Sequence, residues 1–268
     1  MAEFQERISQ LRAKFGPVCL GIDPSDSELN AWDLPDTATG AREFGLRLVE
    51  AAHEQLGFVK PQVGFFERFG SAGFVALEQV MASARDAGLF VIADAKRGDI
   101  GSTMLGYAQA WFGDDSPLRA DALTVSGYLG PESLIETLQY AKDVKGGLFL
   151  LAATSNPEAV EFQLALKEGK TVSALALESA QRIGDGCMGV VIGATQDLTD
   201  FGIDSIKEAD CGVPILAPGF GAQGAKLENL TDIFGASANR VIANLSRELT
   251  KGGAHKISDS IQIAKDKV

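Results

Sequence analysis

The sequence predicts a single (β/α)8 barrel that spans residues 1–268 as one domain, with a capping helix at its N-terminus. Short apolar, strand-like runs alternate with segments of helical periodicity, a pattern typical of βαβ units and a parallel sheet. Eight such runs fall within 268 residues, and a closed eight-stranded barrel typically takes roughly 250. The first run is not followed by a G-x-G-x-x-G sequence, so an open dinucleotide-binding sheet is not favoured.

The elements follow one another in a regular order. Phe4, Ile8, Leu11 and Phe15 recur at helical spacing and predict an amphipathic helix that covers part of the core. The eight predicted strands are residues 18–23, 57–62, 89–96, 122–126, 147–153, 189–194, 214–218 and 240–245. Helical segments between them include residues 41–55, 73–87, 100–110, 131–144 and 173–183. Residues 154–172 are too long for a tight connection, and the sequence leaves open whether they form a lid or a solvated helix.

Composition and charge argue against several classes of protein. The formal net charge is −12, whereas nucleic acids and anionic membranes are bound by basic surfaces, so neither is expected as a partner. Cys19, Cys187 and Cys211 are scattered and lack C-x-x-C spacing, which predicts buried thiols in a reducing compartment. The longest apolar run, residues 148–153, is too short to span a bilayer, and the N-terminus does not resemble a secretory signal. We therefore expect a cytoplasmic location.

Three charged residues stand near the carboxyl end of the third predicted strand, in the run LFVIADAKRGDIGST of residues 89–103. Asp94 and Lys96 are two positions apart, so their side chains point to the same face of a strand, and Asp99 follows after Gly98 ends the strand. Barrel enzymes carry their active sites at these strand ends. A surface ion pair is the structural alternative, but a buried strand seldom carries three charges without a functional use.

Other predicted strands also carry polar side chains near their carboxyl ends. Asp23 ends the first strand, Lys60 lies in the second with Gln62 on the same face, and Ser126 ends the fourth. Because all strands of a parallel barrel end at the same mouth, we expect these groups to meet Asp94 and Lys96 around one ligand.

The loop after the seventh predicted strand, residues 218–224 (PGFGAQG), contains three glycines whose backbone N–H groups can approach an anion. Arg247 follows the eighth strand, and barrels commonly bind phosphate between these last two loops. A Gly-rich loop alone is often only a turn, but the neighbouring arginine favours a site for a phosphate monoester.

A lysine flanked by carboxylates is suited to proton donation. Nearby negative charge favours the ammonium form, so Lys96 is a good proton donor and a poor Schiff-base nucleophile. Asp94 and Asp99 could instead hold Mg2+, which prefers carboxylate ligands, but Lys96 between them would repel a cation. We therefore expect no metal.

The run DAKRGDIGST (residues 94–103) resembles the active-site signature of orotidine 5'-monophosphate decarboxylases, in the bacterial subgroup with this form of D-x-K-x-x-D. VKPQVGFFE, GVVIGAT, PGFGAQG and the final SR are also similar to that subgroup, and together they cover nearly the whole barrel, from Val18 to Arg247. The D-x-K-x-x-D spacing alone is shared with other phosphosugar decarboxylases and synthases of related barrels, whereas the longer run is much more selective.

This resemblance implies a homodimer of (β/α)8 barrels that converts orotidine 5'-monophosphate (OMP) to UMP and CO2 without a cofactor or metal. It implies a network of Lys60, Asp94, Lys96 and, from the other subunit, Asp99, in which Lys96 protonates C6 of the pyrimidine. The other residues that it assigns to the substrate are Asp23 at the ribose, Ile100 and Thr103 across the dimer interface, and Gln223 and Arg247 at the phosphate.

Two positions depart from the pattern of that family. Ser126, Gly127 and Tyr128 stand where an Asn-Pro-Tyr sequence is expected, although Ser126 could still contact the pyrimidine, and Ala153 stands where a lysine or similar residue is expected before TSNP. Two other functions stay open. One is a Mg2+-dependent decarboxylase of a phosphorylated keto-sugar acid, which would need further acidic ligands. The other is a non-catalytic barrel that binds nucleotide monophosphates, against which the intact charged triplet argues.

Overall fold

A computed structural model describes residues 3–268, whose main feature is a closed barrel of eight parallel strands. The strands in chain order are β1 (Val18–Ile22), β2 (Phe58–Pro61), β3 (Phe90–Arg97), β4 (Ala122–Val125), β5 (Gly147–Ala153), β6 (Leu166–Lys167), β7 (Lys170–Thr171), β8 (Met188–Ile192), β9 (Ile215–Ala217) and β10 (Val241–Leu245). The order around the barrel is β1-β10-β9-β8-β5-β4-β3-β2, and β2 pairs with β1 to close it. β6 and β7 form a separate antiparallel hairpin.

Helices alternate with the barrel strands. They are α1 (Glu3–Phe15), α2 (Asp26–Ala31), α3 (Ala38–Ala52), α4 (Val63–Glu67), α5 (Gly70–Asp86), α6 (Gly101–Phe112), α7 (Ile135–Asp143), α8 (Ala159–Gln163), α9 (Val172–Ile183), α10 (Ser205–Glu208), α11 (Leu230–Phe234), α12 (Arg247–Thr250) and α13 (Ile257–Lys265). Short 3-10 turns occupy Pro131–Leu134, Leu227–Asn229, Gly235–Arg240 and Ala254–Lys256. The architecture confirms the predicted (β/α)8 barrel.

The predicted ends of the strands agree better with the structure than the predicted ends of the helices. All eight predicted strands are present, with ends within two residues of the expected positions. The helix predicted from residue 41 begins at Ala38, because the Thr37 hydroxyl accepts a hydrogen bond from the Gly40 N–H and caps the helix three residues earlier. The segment predicted as one helix over residues 131–144 starts as a 3-10 turn and becomes α-helical only at Ile135.

The N-terminal helix α1 covers the amino-terminal end of the barrel, as predicted. Phe4 of α1 is fully buried, and its ring centroid lies 5.9 Å from that of Phe90 in β3 and 5.9 Å from that of Phe149 in β5. At Gly147 a β-carbon would lie 2.6 Å from the Phe4 ring, so the close approach of the helix requires glycine there. The buried apolar residues form one continuous core.

The structure also bears on the state of the cysteines and on whether a helix could cross a membrane. All three cysteines are free and buried, and burial raises the pKa of the Cys19 thiol to about 12, which keeps it protonated. Among residues 3–268, we find no helix with the length and apolar character needed to cross a membrane.

Candidate active site

The carboxyl ends of the barrel strands surround a cavity of about 480 Å³. Asp23 after β1, Lys60 of β2, Asp94 and Lys96 of β3 and Thr124 of β4 contribute charged and polar groups to its wall. The loops after β9 and β10 complete the wall with Pro218, Gly219, Phe220, Ala222, Gln223, Ser246 and Arg247. The barrel thus brings residues that are far apart in the sequence around one cavity.

Asp94 is the centre of a buried network of ion pairs and hydrogen bonds. Its Oδ2 accepts from Lys60 Nζ at 2.9 Å and from Gln62 Nε2 at 3.0 Å. Its Oδ1 accepts from Lys96 Nζ at 2.6 Å and from Thr124 Oγ1 at 3.0 Å. Each carboxylate oxygen therefore has two donors, which fills the usual acceptor capacity of an ionised carboxylate. Because only 8% of Asp94 and 4% of Lys60 are exposed, the network lies largely out of water.

The opposite charges in this network hold one another in their ionised forms. Burial alone would lower the pKa of Lys60, but the charges of Asp94 and Asp23 and the hydrogen bond to Asp94 together raise it above its ordinary value. Burial alone would raise the pKa of Asp94, but the charges of Lys60 and Lys96 and their hydrogen bonds lower it well below its ordinary value. Asp23 Oδ1 lies 3.9 Å from Lys60 Nζ and is buried without a hydrogen bond within the described residues.

The raised pKa of Lys60 predicts a pH-dependent contribution to stability. A group whose pKa is raised by folding stabilises fully below its unfolded pKa, here 10.5, and this contribution is lost as pH rises through the folded pKa. Lys60→Met should lower the free energy of unfolding by about 3 kcal/mol at pH 8, because it removes one partner of a buried ion pair. Urea unfolding of both proteins should show this gap narrowing above pH 10.5. A gap that stays constant across this range would mean that the Lys60 charge is not responsible.

Lys96 does not lie in the regular strand that the sequence predicts. Its φ of +48° is in the left-handed region, which residues other than glycine rarely adopt. The β3–β4 register shifts between Ala93 and Arg97, a β-bulge, and the strand continues to Arg97. The expectation that Asp94 and Lys96 point the same way is confirmed, since both line the cavity, but the strand between them is not regular. Their side chains meet through an irregular backbone, which leaves the Lys96 side chain 46% exposed in the cavity wall.

The loop after β9 has the conformation that its glycines permit. Gly219 and Gly221 have φ values of +108° and +73°, and a β-carbon at Gly221 would lie 2.5 Å from Glu248 Cβ. Gln223 from this loop and Arg247 at the start of α12 both line the cavity and are exposed. These two side chains are donors that could bind an anion entering the cavity.

Within a single chain, four of the predicted residues lie outside this cavity. Asp99 Oδ1 accepts from the Ile100 N–H at 2.8 Å, Ile100 is 59% exposed, and Thr103 is exposed on α6. The Ser126 hydroxyl accepts from the Tyr128 N–H at 3.4 Å and is not part of the cavity wall. In one chain this hydroxyl bonds to its own loop, and its contact with the pyrimidine stays a prediction. One chain thus holds three members of the predicted four-residue network.

Residues 154–172 form part of the cavity wall instead of one solvated helix. Thr154, Ser155 and Asn156 line the cavity, followed by α8 and the β6–β7 hairpin. Gln163 at the end of α8 also lines it, and its side chain accepts from the Thr154 N–H at 2.8 Å and donates to the Thr154 hydroxyl at 2.9 Å. These bonds connect α8 to the end of β5.

Comparison with known proteins places this site in a family. The family model described as orotidine 5'-phosphate decarboxylase / HUMPS family matches residues 16–256, which is most of the chain. The chain belongs to this family. The resemblance drawn from the sequence is thereby confirmed at the level of the family.

Individual members of the orotidine 5'-phosphate decarboxylase / HUMPS family are similar along nearly the whole chain. An orotidine 5'-phosphate decarboxylase of Streptomyces coelicolor is 43% identical over 261 residues, covering 94% of this chain and 91% of the relative. The crystal structure of a candidate orotidine 5'-phosphate decarboxylase from Streptomyces avermitilis is 42% identical, with a TM-score of 0.92 and coverage of 100% and 95%. A UMP synthase of Leishmania donovani is 31% identical with a TM-score of 0.80, and the match covers 97% of this chain and 55% of that one.

Two polar residues of this decarboxylase-family site were not predicted to take part in it. Thr124 donates to Asp94 Oδ1. Asn244 of β10 lines the cavity, is 7% exposed, and has a side-chain carbonyl oxygen without a partner among residues 3–268. Both had a weak signal, since each is a single polar residue in an apolar strand.

Proposed function

We propose that this chain decarboxylates OMP to UMP and CO2, with residues 1–268 acting as one catalytic domain, of which residues 1–2 lie outside the described part. The observation that carries the proposal is the network of Lys60, Asp94 and Lys96 in the wall of a cavity that also contains Gln223 and Arg247. The family model and the Streptomyces coelicolor relative, both named for orotidine 5'-phosphate decarboxylase, support it.

The main chemical difficulty of this reaction is the charge that develops at C6. Loss of CO2 from the pyrimidine leaves an electron pair on a ring carbon with no obvious π-acceptor, so a fixed positive group must stabilise it. The Lys96 ammonium group is fixed by its 2.6 Å contact with Asp94 Oδ1 and lies in the cavity wall. A positive group that is held in place in advance needs less reorganisation when the charge develops.

The proposed reaction replaces the carboxylate on C6 by a proton. The bond between C6 and the carboxylate carbon breaks, its electron pair stays on C6, and CO2 leaves. The Lys96 ammonium donates a proton to C6 to form UMP, and solvent returns a proton to the amine. In this arrangement Asp94 lies beside the substrate carboxylate, while Lys60 and Asp23 are close enough to each other to share the ribose hydroxyls.

We propose that the phosphate binds at Gln223 and Arg247, between the loops after β9 and β10. A guanidinium group can donate two parallel hydrogen bonds to a phosphate, and N–H groups of the glycine-containing loop can add others. The binding energy of this remote group would hold C6 against Lys96, which is the kind of contribution that raises the rate of the chemical step.

Arg247→Ala should lower kcat/KM for OMP by roughly 10- to 100-fold, the range expected for loss of a hydrogen bond to a charged group. The same substitution should leave kcat/KM for orotidine, which lacks the phosphate, unchanged. Steady-state kinetics with both substrates tests this, with Lys226→Ala as a control that removes a positive charge near the same loop but outside the cavity. Equal losses with the two substrates would place Arg247 elsewhere than at the phosphate.

We further propose that the chain is a homodimer in which Asp99, Ile100 and Thr103 complete the partner's site. In one chain these residues lie outside the cavity at the start of α6. Three exposed apolar side chains follow the carboxyl ends of β3, β4 and β5: Ile100 just before α6 at 59%, Tyr128 after β4 at 74%, and Phe162 in α8 at 50%. The rings of Tyr128 and Phe162 pack at 5.4 Å between centroids, and an exposed apolar surface of this kind favours association.

The expected setting of this activity follows from composition. The net charge of −12 makes nucleic acid and anionic membranes unsuitable partners. Three free, buried thiols fit a reducing compartment, so we propose a cytoplasmic location.

The experiment that tests the proposed function compares substrates directly. The purified protein is given OMP or a phosphorylated keto-sugar acid, with and without Mg2+, and the products are identified by NMR. We expect UMP and CO2 from OMP alone, with no reaction of the sugar acid. Turnover of the sugar acid only, or binding of OMP without conversion, would overturn the proposal in favour of one of the two alternative functions.

A further inference from the structure

The Thr124 hydroxyl connects the backbone of Lys96 to the carboxylate of Asp94. Its Oγ1 accepts from the Lys96 backbone N–H at 2.9 Å and donates to Asp94 Oδ1 at 3.0 Å. Thr124 lies in β4 and is 1% exposed, so these bonds are shielded from water. Because a hydroxyl has one proton, donation to the carboxylate leaves its lone pairs to accept from Lys96, and the two bonds support each other.

This connection is made at the point where the backbone is irregular. Lys96 has a φ of +48°, which is unfavourable for a residue with a β-carbon and persists only when surrounding contacts hold it. One residue further on, the Ser126 N–H donates to the Arg97 carbonyl oxygen at 2.8 Å. At Gly98 a β-carbon would lie 2.8 Å from the Ser126 carbonyl oxygen. The end of β4 therefore holds the bulge of β3 both at Lys96 and just after it.

We propose that Thr124 is a positioning residue for Lys96, a role that rests on the proposed function of Lys96 as proton donor. The hydroxyl holds the Lys96 backbone in the left-handed conformation, and this conformation places Nζ against Asp94 Oδ1 and in the cavity wall. A replacement side chain would need both an acceptor for the Lys96 N–H and a donor for Asp94 Oδ1, which valine and alanine lack. Displacing a reacting group by about 1 Å costs roughly 100-fold in rate, so the effect falls on the chemical step.

The test compares substitutions that keep or remove the hydroxyl. Thr124→Val preserves the shape and removes the hydroxyl, whereas Thr124→Ser keeps it. Thr137→Val is the matched control, because Thr137 is also buried and its hydroxyl bonds to a backbone carbonyl, far along the chain in α7. For Thr124→Val we expect kcat for OMP to fall roughly 10- to 100-fold with little change in KM, the range for loss of a hydrogen bond to a charged group. Thr124→Ser should retain most of kcat, and Thr137→Val should match the wild type.

A second measurement does not depend on turnover. Hydrogen exchange of the Lys96 amide, followed by NMR, should be slow in the wild type, Thr124→Ser and Thr137→Val, and at least about 10-fold faster in Thr124→Val. If Thr124→Val does not fold, Thr124→Ala replaces it in both measurements, since it adds no atoms to the core.

Three results would overturn the inference. These are unchanged kcat and amide exchange in Thr124→Val, equal losses in Thr124→Ser and Thr124→Val, or an increase confined to KM, which would make Thr124 a binding contact. Failure of the wild type to convert OMP would overturn the proposed function, while the exchange of the Lys96 amide would still decide whether Thr124 holds that backbone.

Discussion

Lys96→Ala should abolish decarboxylation of OMP while leaving the barrel folded. The substitution removes both the proton donor, which typically contributes about 100- to 10,000-fold, and the fixed charge at C6, which contributes about 100- to 1,000-fold. We therefore expect kcat to fall by at least about 10,000-fold. The Lys96 side chain is 46% exposed, and Asp94 keeps its bonds to Lys60, Gln62 and Thr124, so little stability should be lost.

The measurement is UV-monitored turnover together with thermal unfolding. Lys142→Ala is the control, since Lys142 is an exposed lysine that forms an ion pair with Asp185 outside the cavity. That variant should keep the activity of the wild type. Substantial residual turnover by folded Lys96→Ala would remove Lys96 from the role of proton donor.

Subunits that carry Asp99→Asn and Lys96→Ala should each be inactive alone and should regain activity when mixed. In a symmetric dimer with a shared site, a mixed dimer combines the intact Lys96 of one subunit with the intact Asp99 of the other in one of its two sites. Random exchange makes half of the dimers mixed, so the recovery should approach about a quarter of the wild-type activity.

Subunit exchange must be shown independently, for example by native mass spectrometry of subunits with different isotopic labels. The control mixes unlabelled Lys96→Ala with isotopically labelled Lys96→Ala, which should exchange subunits but recover no activity. Complete exchange without any recovery would show that Asp99 does not act across an interface, and the site of a single chain would then have to be sufficient.

The barrel was predictable because its signals are repeated and local. Eight apolar runs separated by helical periodicity leave few alternatives to a closed parallel barrel, and the ends of strands are marked by glycine, proline and polar residues. Helix starts were less accurate because they depend on single side chains such as Thr37, whose capping bond comes before the first apolar residue. The β6–β7 hairpin was missed because its turn is formed by Glu168 and Gly169, both with positive φ, and Glu is not a typical residue for that conformation.

The charged part of the site was also predictable, since closure of the barrel brings the ends of β1, β2 and β3 together whatever their distance in sequence. The detailed geometry was not. A regular strand predicts that Asp94 and Lys96 share a face, and both do line the cavity, but the register shift and the left-handed backbone at Lys96 occur where β3 pairs with β4 and have no signal in the local sequence. Thr124 could be identified only as a polar residue in the strand ALTV, and the sequence has no signal for its bond to the Lys96 N–H. Ser126, two residues later, was the more visible candidate but lies outside the cavity.

The central claim is that Lys96 and its buried network decarboxylate OMP without a metal. The most direct measurement is the turnover of OMP by the wild-type protein after exhaustive treatment with EDTA, beside untreated protein and the Lys96→Ala variant. We expect the treated and untreated wild-type proteins to convert OMP to UMP at the same rate, with no detectable conversion by the variant. Loss of activity on chelation that Mg2+ restores, or equal activity of the variant, would contradict the claim.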